Sequence, residues 1–357
     1  MYYPKFTITA AILENVGRIE ASRAIINNAP LIPAYEKSFR HEATARMIHY
    51  GTRIEGNELS FSQAKEVMNG KNILAGKRDV QEVINYRQVI NFIEKLINDK
   101  EKKETMTYRE EDLKKIHWLV SQRIIPEEKC GHYRQSQVII RSASGKTVFH
   151  APPAIEVPYL TASFFKFLNS SKGRTIHPVL RAGIAHYVLV AIHPFIEGNG
   201  RSARALANLI LYTEGYDVRR LFSLEEYFDK NLEDYYNFLK KTSDQNENLE
   251  ERDLTEWLTF FSYALAAELN RVKEQIKKLS VDGQLRKKLG GRQISLSNRQ
   301  IKLMEYINEH GGIRMAAARE ILPMISEDTI LRELQKLRDD KILSKVGQTK
   351  GVKYILR

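Results

Sequence analysis

HPVLRAGIAHYVLVAIHPFIEGNGRSARALANLILYTEGY, residues 177 to 216, decides how the chain is read. HPVLRAGIAHYVLVAI reads as a helix and runs straight into a polar joint. ARALANLILYTEGY follows as another helix, apolar at Leu206, Leu209 and Ile210 and stopped near Gly215. The joint, HPFIEGNGRSAR at 193 to 204, gathers a histidine, a carboxylate, a glycine-framed asparagine and two arginines.

Working outward, helical patterns dominate. RHEATARMIHYGTRIEGN (40–57), VQEVINYRQVINFIEKLIND (80–99) and YREEDLKKIHWLVSQRI (108–124) precede the joint. VPYLTASFFKFLNSS (157–171) is another helix, and further ones are expected near 225–241 and 253–279. Between 131 and 153 the pattern changes. Val138-Ile139-Ile140 and Thr147-Val148-Phe149 are short β-type runs around Ser142, Ser144 and Gly145, so a small hairpin is predicted. After residue 297 come three short helices, the third capped by Ser326, then two strands around a glycine-containing turn. That order is the order of a winged helix-turn-helix. The predicted fold class is mainly α: a helical core with a small β-hairpin flap, plus a C-terminal winged-helix-like domain. The expected division is an N-terminal helical region over 1–110, a core over 111–280, a basic glycine-containing linker over 281–296 and the small domain over 297–357.

Length and composition set bounds. The chain has 357 residues, 43% apolar and 28% charged, which is globular rather than disordered. No stretch approaches the ~18 apolar residues of a membrane span. The start lacks the basic lead and apolar run of a secretion signal. Cys130 is the single cysteine, which excludes an internal disulfide and a thiolate zinc cluster. A cytoplasmic location is expected. The net charge of +12 raises nucleic acid as a partner, although a phosphate-bearing ligand needs only a local cluster of cations.

The joint carries the chemistry. Gly198-Asn199-Gly200 lies at the start of a helix, where free N–H groups and the helix dipole favour an anion. Arg201 and Arg204 are three apart and share a face, with forked geometry suited to phosphate oxygens. Glu197 beside such a cradle calls for a cation, and magnesium bound by one carboxylate, phosphates and water is the usual answer. His193, with an ordinary pKa of ~6.5, is able to accept a proton from a hydroxyl. Together these parts describe transfer from a nucleotide to a hydroxyl.

HPFIEGNGRSAR resembles the Fic signature: His-Pro-Phe, an acid, Gly-Asn-Gly-Arg and a second arginine three residues on. GHYR with HAPP looks like the family's flap region, and DYYNFL and DLTEWLTFF look like its closing helices; the resemblance spans roughly residues 40 to 265. It implies a protein adenylyltransferase that moves AMP from magnesium-ATP to a Ser, Thr or Tyr hydroxyl of a target protein. It assigns His193 as base, Glu197 as metal ligand, and Gly198, Asn199, Gly200, Arg201 and Arg204 to the phosphates. Tyr235 and Tyr236 would lie near the adenine. Val138, Ile139 and Ile140 would hold the target segment by strand addition. Homodimers are frequent in the family. Gly200, where a lysine marks relatives that transfer a terminal phosphate, favours AMP transfer.

GTRIEGNE, residues 51 to 58, resembles the family's inhibitory motif through Glu55-Gly56. The motif's Ser/Thr position is Gly51, with Thr52 one place late. A carboxylate at a helix C-terminus is opposed by ~0.3–1 kcal/mol. The resemblance implies that Glu55 pairs with Arg204 and takes the place of the γ-phosphate, and the reverse reaction, removal of AMP, stays open. The rival function is a DNA-binding transcriptional regulator acting through the C-terminal unit, with the Fic domain as a nucleotide sensor. Thr329, Arg332 and Lys336 could share one face of the third helix there, against Glu327, Asp328 and Glu333.

Overall fold

The structure, a computed structural model, describes residues 2–29, 33–100, 107–141, 147–279, 297–347 and 352–357. The expected linker at 281–296 and the hairpin turn at Ser142, Ser144 and Gly145 lie outside the described residues. The chain divides into two compact units. One comprises residues 1–27 and 41–270; the other comprises 28–40 and 271–357.

The first unit is mostly helical. Its elements are α1 (Ala10–Asn28), α2 (Pro33–Arg53), whose residues 33–40 belong to the second unit, α3 (Phe61–Met68), α4 (Lys77–Lys100), α5 (Glu110–Ser121), β1 (Ile139–Arg141), β2 (Thr147–His150), α6 (Val157–Asn169), α7 (Ser171–Thr175), α8 (Pro178–Ile192), α9 (Asn199–Thr213), α10 (Leu224–Lys230), α11 (Leu232–Ser243) and α12 (Thr255–Leu279), which runs on into the second unit from residue 271. Sequence patterning missed α1 and α3. For α3 the signal was present: Ser60 and Gln63 form a reciprocal capping box, with side-chain to backbone bonds of 3.3 and 2.9 Å. The single helix expected near 225–241 is two, α10 and α11, broken at Asn231, whose backbone (φ −123°, ψ 43°) is not helical.

The core is organised on α8 and α9, which pack closely on each other. Pro178 opens α8, a position where its missing N–H costs nothing. Apolar residues surround α8 on all sides, and from Val179 to Leu189 every residue is buried. Gly183 lets α12 approach: an added Cβ would lie 2.9 Å from Leu258 and 3.0 Å from Phe261. The Trp257 indole N–H donates to the Gly183 carbonyl at 2.8 Å. The one buried cation of α8, Arg181, is paired with Glu214 at 2.7 Å.

β1 and β2 form an antiparallel hairpin, Ile139 opposite His150 and Ile140 opposite Phe149, with an irregularity before Arg141. Val138 stands just before the strand. β2 lies alongside α11.

In the second unit, α13 (Asn298–His310), α14 (Met315–Ile321) and α15 (Glu327–Asp339) precede the antiparallel pair β3 (Leu343–Val346) and β4 (Lys353–Leu356). Ser297 with Gln300 forms a second capping box, and Ser326 accepts from the Thr329 amide. Leu303, Ile307, Ala318, Ile330, Leu334, Leu337 and Tyr354 make its core, with Phe39 packed against it. Ile313 and Tyr354 exchange two backbone bonds of 2.8 Å, which ties the segment before α14 to β4.

Candidate active site

The joint between α8 and α9 is held open as a loop by its own groups. His193 ends α8 with left-handed backbone (φ 50°, ψ 60°), a conformation that disfavours any residue with a Cβ. Its amide still bonds the Leu189 carbonyl at 3.0 Å. Six residues on, the Asn199 side chain accepts from the Phe195 N–H at 2.9 Å and donates to the Phe195 carbonyl at 2.8 Å. Gly198 takes φ 78° and starts α9; an added Cβ would meet Val120 at 2.9 Å as well. Only glycine fits there at low cost.

The imidazole of His193 lies 3.3 Å from the Val190 carbonyl through Nδ1. That contact needs a proton on Nδ1, which leaves Nε2 with a lone pair. Burial pushes the His193 pKa down to about 4, although the Val190 carbonyl and the Glu55 charge pull the other way. The ring is therefore neutral at pH 7. His193 ends α8 five residues before Gly198, which starts α9, and the Glu55 charge acts on its ring.

Glu55 follows the last turn of α2 and is released from it by Gly56 at φ 95°. Its Oε1 accepts from Arg204 Nη2 at 2.8 Å. The same nitrogen donates to the Gly51 carbonyl at 2.9 Å, and Arg204 Nη1 reaches the Tyr235 hydroxyl at 3.4 Å. A Cβ on Gly200 would lie 2.2 Å from Glu55 Oε1 and 3.2 Å from Arg204 Nη1. The carboxylate thus rests on the first turn of α9. Burial pushes the Glu55 carboxyl up, but Arg204 and Arg201 outweigh it and hold its pKa below the usual range.

Glu197 bonds through Oε1 to Arg78 and sits 3.8 Å from Arg201 Nη2. Arg201 Nη1 lies 3.4 Å from the buried Glu82. Buried Nε atoms of Arg201 and Arg204 make no hydrogen bond. These donors suit an anion with several oxygens. Among the described residues no group of three or more His, Cys, Asp or Glu could hold a metal by itself. One carboxylate next to an anion cradle fits an ion that takes its other ligands from phosphate and water.

Of the residues singled out in sequence, Glu55, His193, Glu197, Gly200, Arg201 and Arg204 converge on one mouth. Tyr235 is fully buried, between Arg204 and His186 (3.1 Å), and stacks on Phe228. Tyr236 is half exposed and donates to the Ile54 carbonyl at 3.2 Å. Ile139 is also half exposed, at the flap.

Four contributors escaped the sequence reading. Arg134 fastens the flap's base to the loop: its amide donates to the Pro194 carbonyl at 2.9 Å and its Nε to the His193 carbonyl at 2.8 Å. His117 on α5 accepts from the Gly131 amide at 2.9 Å through Nδ1 and so donates through Nε2 to the Glu197 carbonyl at 2.9 Å. It also stacks on Phe195 at 3.7 Å. Burial pushes its pKa down to about 4, which suits a neutral support. Arg78 and Glu82 are the others, and their only signal was the four-residue spacing on one helix face.

Comparison with known proteins supplies the family. The profile of the Fic/DOC family matches residues 107–211. A protein adenylyltransferase Fic from Culex quinquefasciatus is 30% identical over 216 residues, covering 58% of this chain and 41% of the relative. One from Nematostella vectensis is 28% identical over 233 residues, 64% of this chain and 50% of the relative. The chain spans half or less of the length of these curated relatives. The crystal structure of a Fic family protein from Desulfovibrio desulfuricans aligns over 100% of this chain and 98% of its own, with a TM-score of 0.66 and 25% identity. Residues 107–211 of this chain are a Fic domain of the Fic/DOC family.

Proposed function

We propose that the protein transfers AMP from ATP to a hydroxyl of a target protein's Ser, Thr or Tyr, and that Glu55 restrains it. The observation that carries this reading is the shared mouth: a neutral imidazole with a free Nε2 beside a helix terminus flanked by two buried arginines. The names of the curated relatives support AMP as the group moved.

In this reading His193 Nε2 takes the hydroxyl proton. The oxygen bonds to the α-phosphorus, the bond from that phosphorus to the bridging oxygen breaks, and pyrophosphate leaves. Arg201, Arg204 and the first amides of α9 hold the phosphates and stabilise the charge that builds on them. Glu197 would hold magnesium, which supplies positive charge to the phosphates. Asn199 acts by shaping the loop, since its side chain is engaged with Phe195. Val138, Ile139 and Ile140 would hold the target segment by strand addition. Tyr236, half exposed on α11, would lie near the adenine, whereas Tyr235, expected beside it, is buried and instead meets Arg204 from within the core.

The restraint follows from occupancy. With Glu55 on the first turn of α9 and on Arg204, a γ-phosphate cannot use either. The domain scheme proposed is an N-terminal helical region (1–110) with the inhibitory helix, a core (111–280), a linker (281–296) and a winged-helix-like domain (297–357). The test is AMP transfer at saturating magnesium-ATP by Glu55→Gly against wild type. A rise is expected; equal rates would remove the brake from the account.

A second reading for the C-terminal unit is DNA binding. Glu327 is paired with Arg319 at 2.7 Å, and Glu333 with Arg299 at 3.4 Å, which tempers the acids of α15. Arg332 and Lys336 are exposed on the same helix. Retention on random duplex at two salt concentrations decides: a steep salt slope supports it, and no retention supports protein docking instead.

A further inference from the structure

Glu82 and Glu197 share the same two arginines. Glu82 Oε1 lies 3.3 Å from Arg78 Nε and 3.4 Å from Arg201 Nη1. Glu197 Oε1 bonds Arg78 Nη2 and lies 3.8 Å from Arg201 Nη2. The four charges form a closed ring with an inside and an outside. Arg201 and Glu82 have side chains 3% and 4% exposed, whereas those of Arg78 and Glu197 are 58% and 36% exposed. Glu82 is anchored further by the Asn57 amide at 2.9 Å.

We infer that Arg78 is a removable counter-ion for Glu197, occupying the side of the carboxylate that a divalent cation needs. This rests on the assignment of Glu197 as the metal ligand. Arg78 must release Glu197 before that carboxylate can take a cation. The exposed pair is the one that yields, because ion pairs in water are weak and a desolvated pair is not easily broken. Glu82 keeps hold of both arginines, so Arg78 swings aside while Arg201 stays in the cradle. The ring therefore sets how much magnesium the site requires. Glu55 makes its hydrogen bond to Arg204, which is outside the ring.

The experiment measures binding of a non-hydrolysable ATP analogue as magnesium is titrated, all in the Glu55→Gly protein. Arg78→Gln is expected to lower the magnesium concentration for half-maximal binding about two- to five-fold, the range set by an exposed ion pair. Arg78→Lys, which keeps the charge and loses the fork, should fall between. An unchanged or higher midpoint in Arg78→Gln overturns the inference. So does equal weakening with magnesium and with EDTA, since Arg78 would then be a phosphate contact. Glu197→Gln, run alongside, is expected to abolish the magnesium dependence. If that variant keeps the parental dependence, the metal assignment itself fails and the counter-ion role falls with it. Lost dependence there with an unmoved midpoint in Arg78→Gln overturns the counter-ion role alone.

Discussion

Burial strips His193 of most of its water and outweighs the opposing pull of the Val190 carbonyl, which accepts from Nδ1, so the neutral form persists far into acid. The neutral ring is the base, and it is present above its pKa. For Glu55→Gly, kcat/KM, which reports the free enzyme, should stay level from about pH 8 down to about pH 5 and fall only below that. Removing the Glu55 charge removes a group that raises this pKa, so the fall cannot move upward on that account. A limb near ~6.5, the ordinary histidine value, would show that burial does not govern the ring. Glu55 itself is expected to matter through Arg204. Its charge-assisted bond is of a kind worth ~1.5–3 kcal/mol, so freeing the arginine should raise transfer about 10- to 100-fold. Assay of label transfer at saturating nucleotide checks this.

At the scale of elements, the end of α2 shows why the proposed inhibitory motif has no side chain at its first position. Gly51 stands where Ser or Thr is usual. A Cβ there would lie 2.6 Å from the Tyr86 ring on α4 and 3.3 Å from Glu225 on α10. Two neighbouring elements have filled the space, and the Gly51 carbonyl bonds Arg204 in its own right. Gly51→Ser should therefore destabilise, by the ~1–3 kcal/mol typical of overpacking, and lower Tm by several degrees. An unchanged Tm in a thermal melt would mean that Tyr86 yields. The helices that build the site were legible in sequence: α8 and α9 by their apolar residues, and α2 by its stop at Gly56-Asn57, although the helix ends at Arg53. α1 was missed because its apolar residues mix with polar ones, and Asn15 and Ser22 are buried in it. The supports were also hidden. His117 and Arg134 act on backbone carbonyls of the joint from 59 to 80 positions away in sequence, and no local pattern encodes such a meeting.

For the whole molecule, ligand linkage gives an independent reading of the brake. A ligand that binds only the folded form at about 100 times its Kd stabilises by ~2.7 kcal/mol. Magnesium-ATP should therefore raise Tm more for Glu55→Gly than for wild type, and equal shifts would place the carboxylate outside the nucleotide's space. The motif at 193–204 was readable because its residues are contiguous and a loop between two buried helices brings them to one mouth. The second unit was readable as an order of elements. Its charge pairing was not, because Arg319 and Arg299 meet Glu327 and Glu333 only once the helices pack. Among the described residues no helix is long and apolar enough to cross a membrane. The central claim concerns which phosphate the imidazole helps to attack. The most direct test incubates Glu55→Gly, and the same protein carrying His193→Ala, with lysate and ATP labelled at either the α- or the γ-phosphate. Protein-bound label from the α-position alone, lost with His193→Ala, is the expected result. Label from the γ-position, or α-label undiminished without the imidazole, would contradict it.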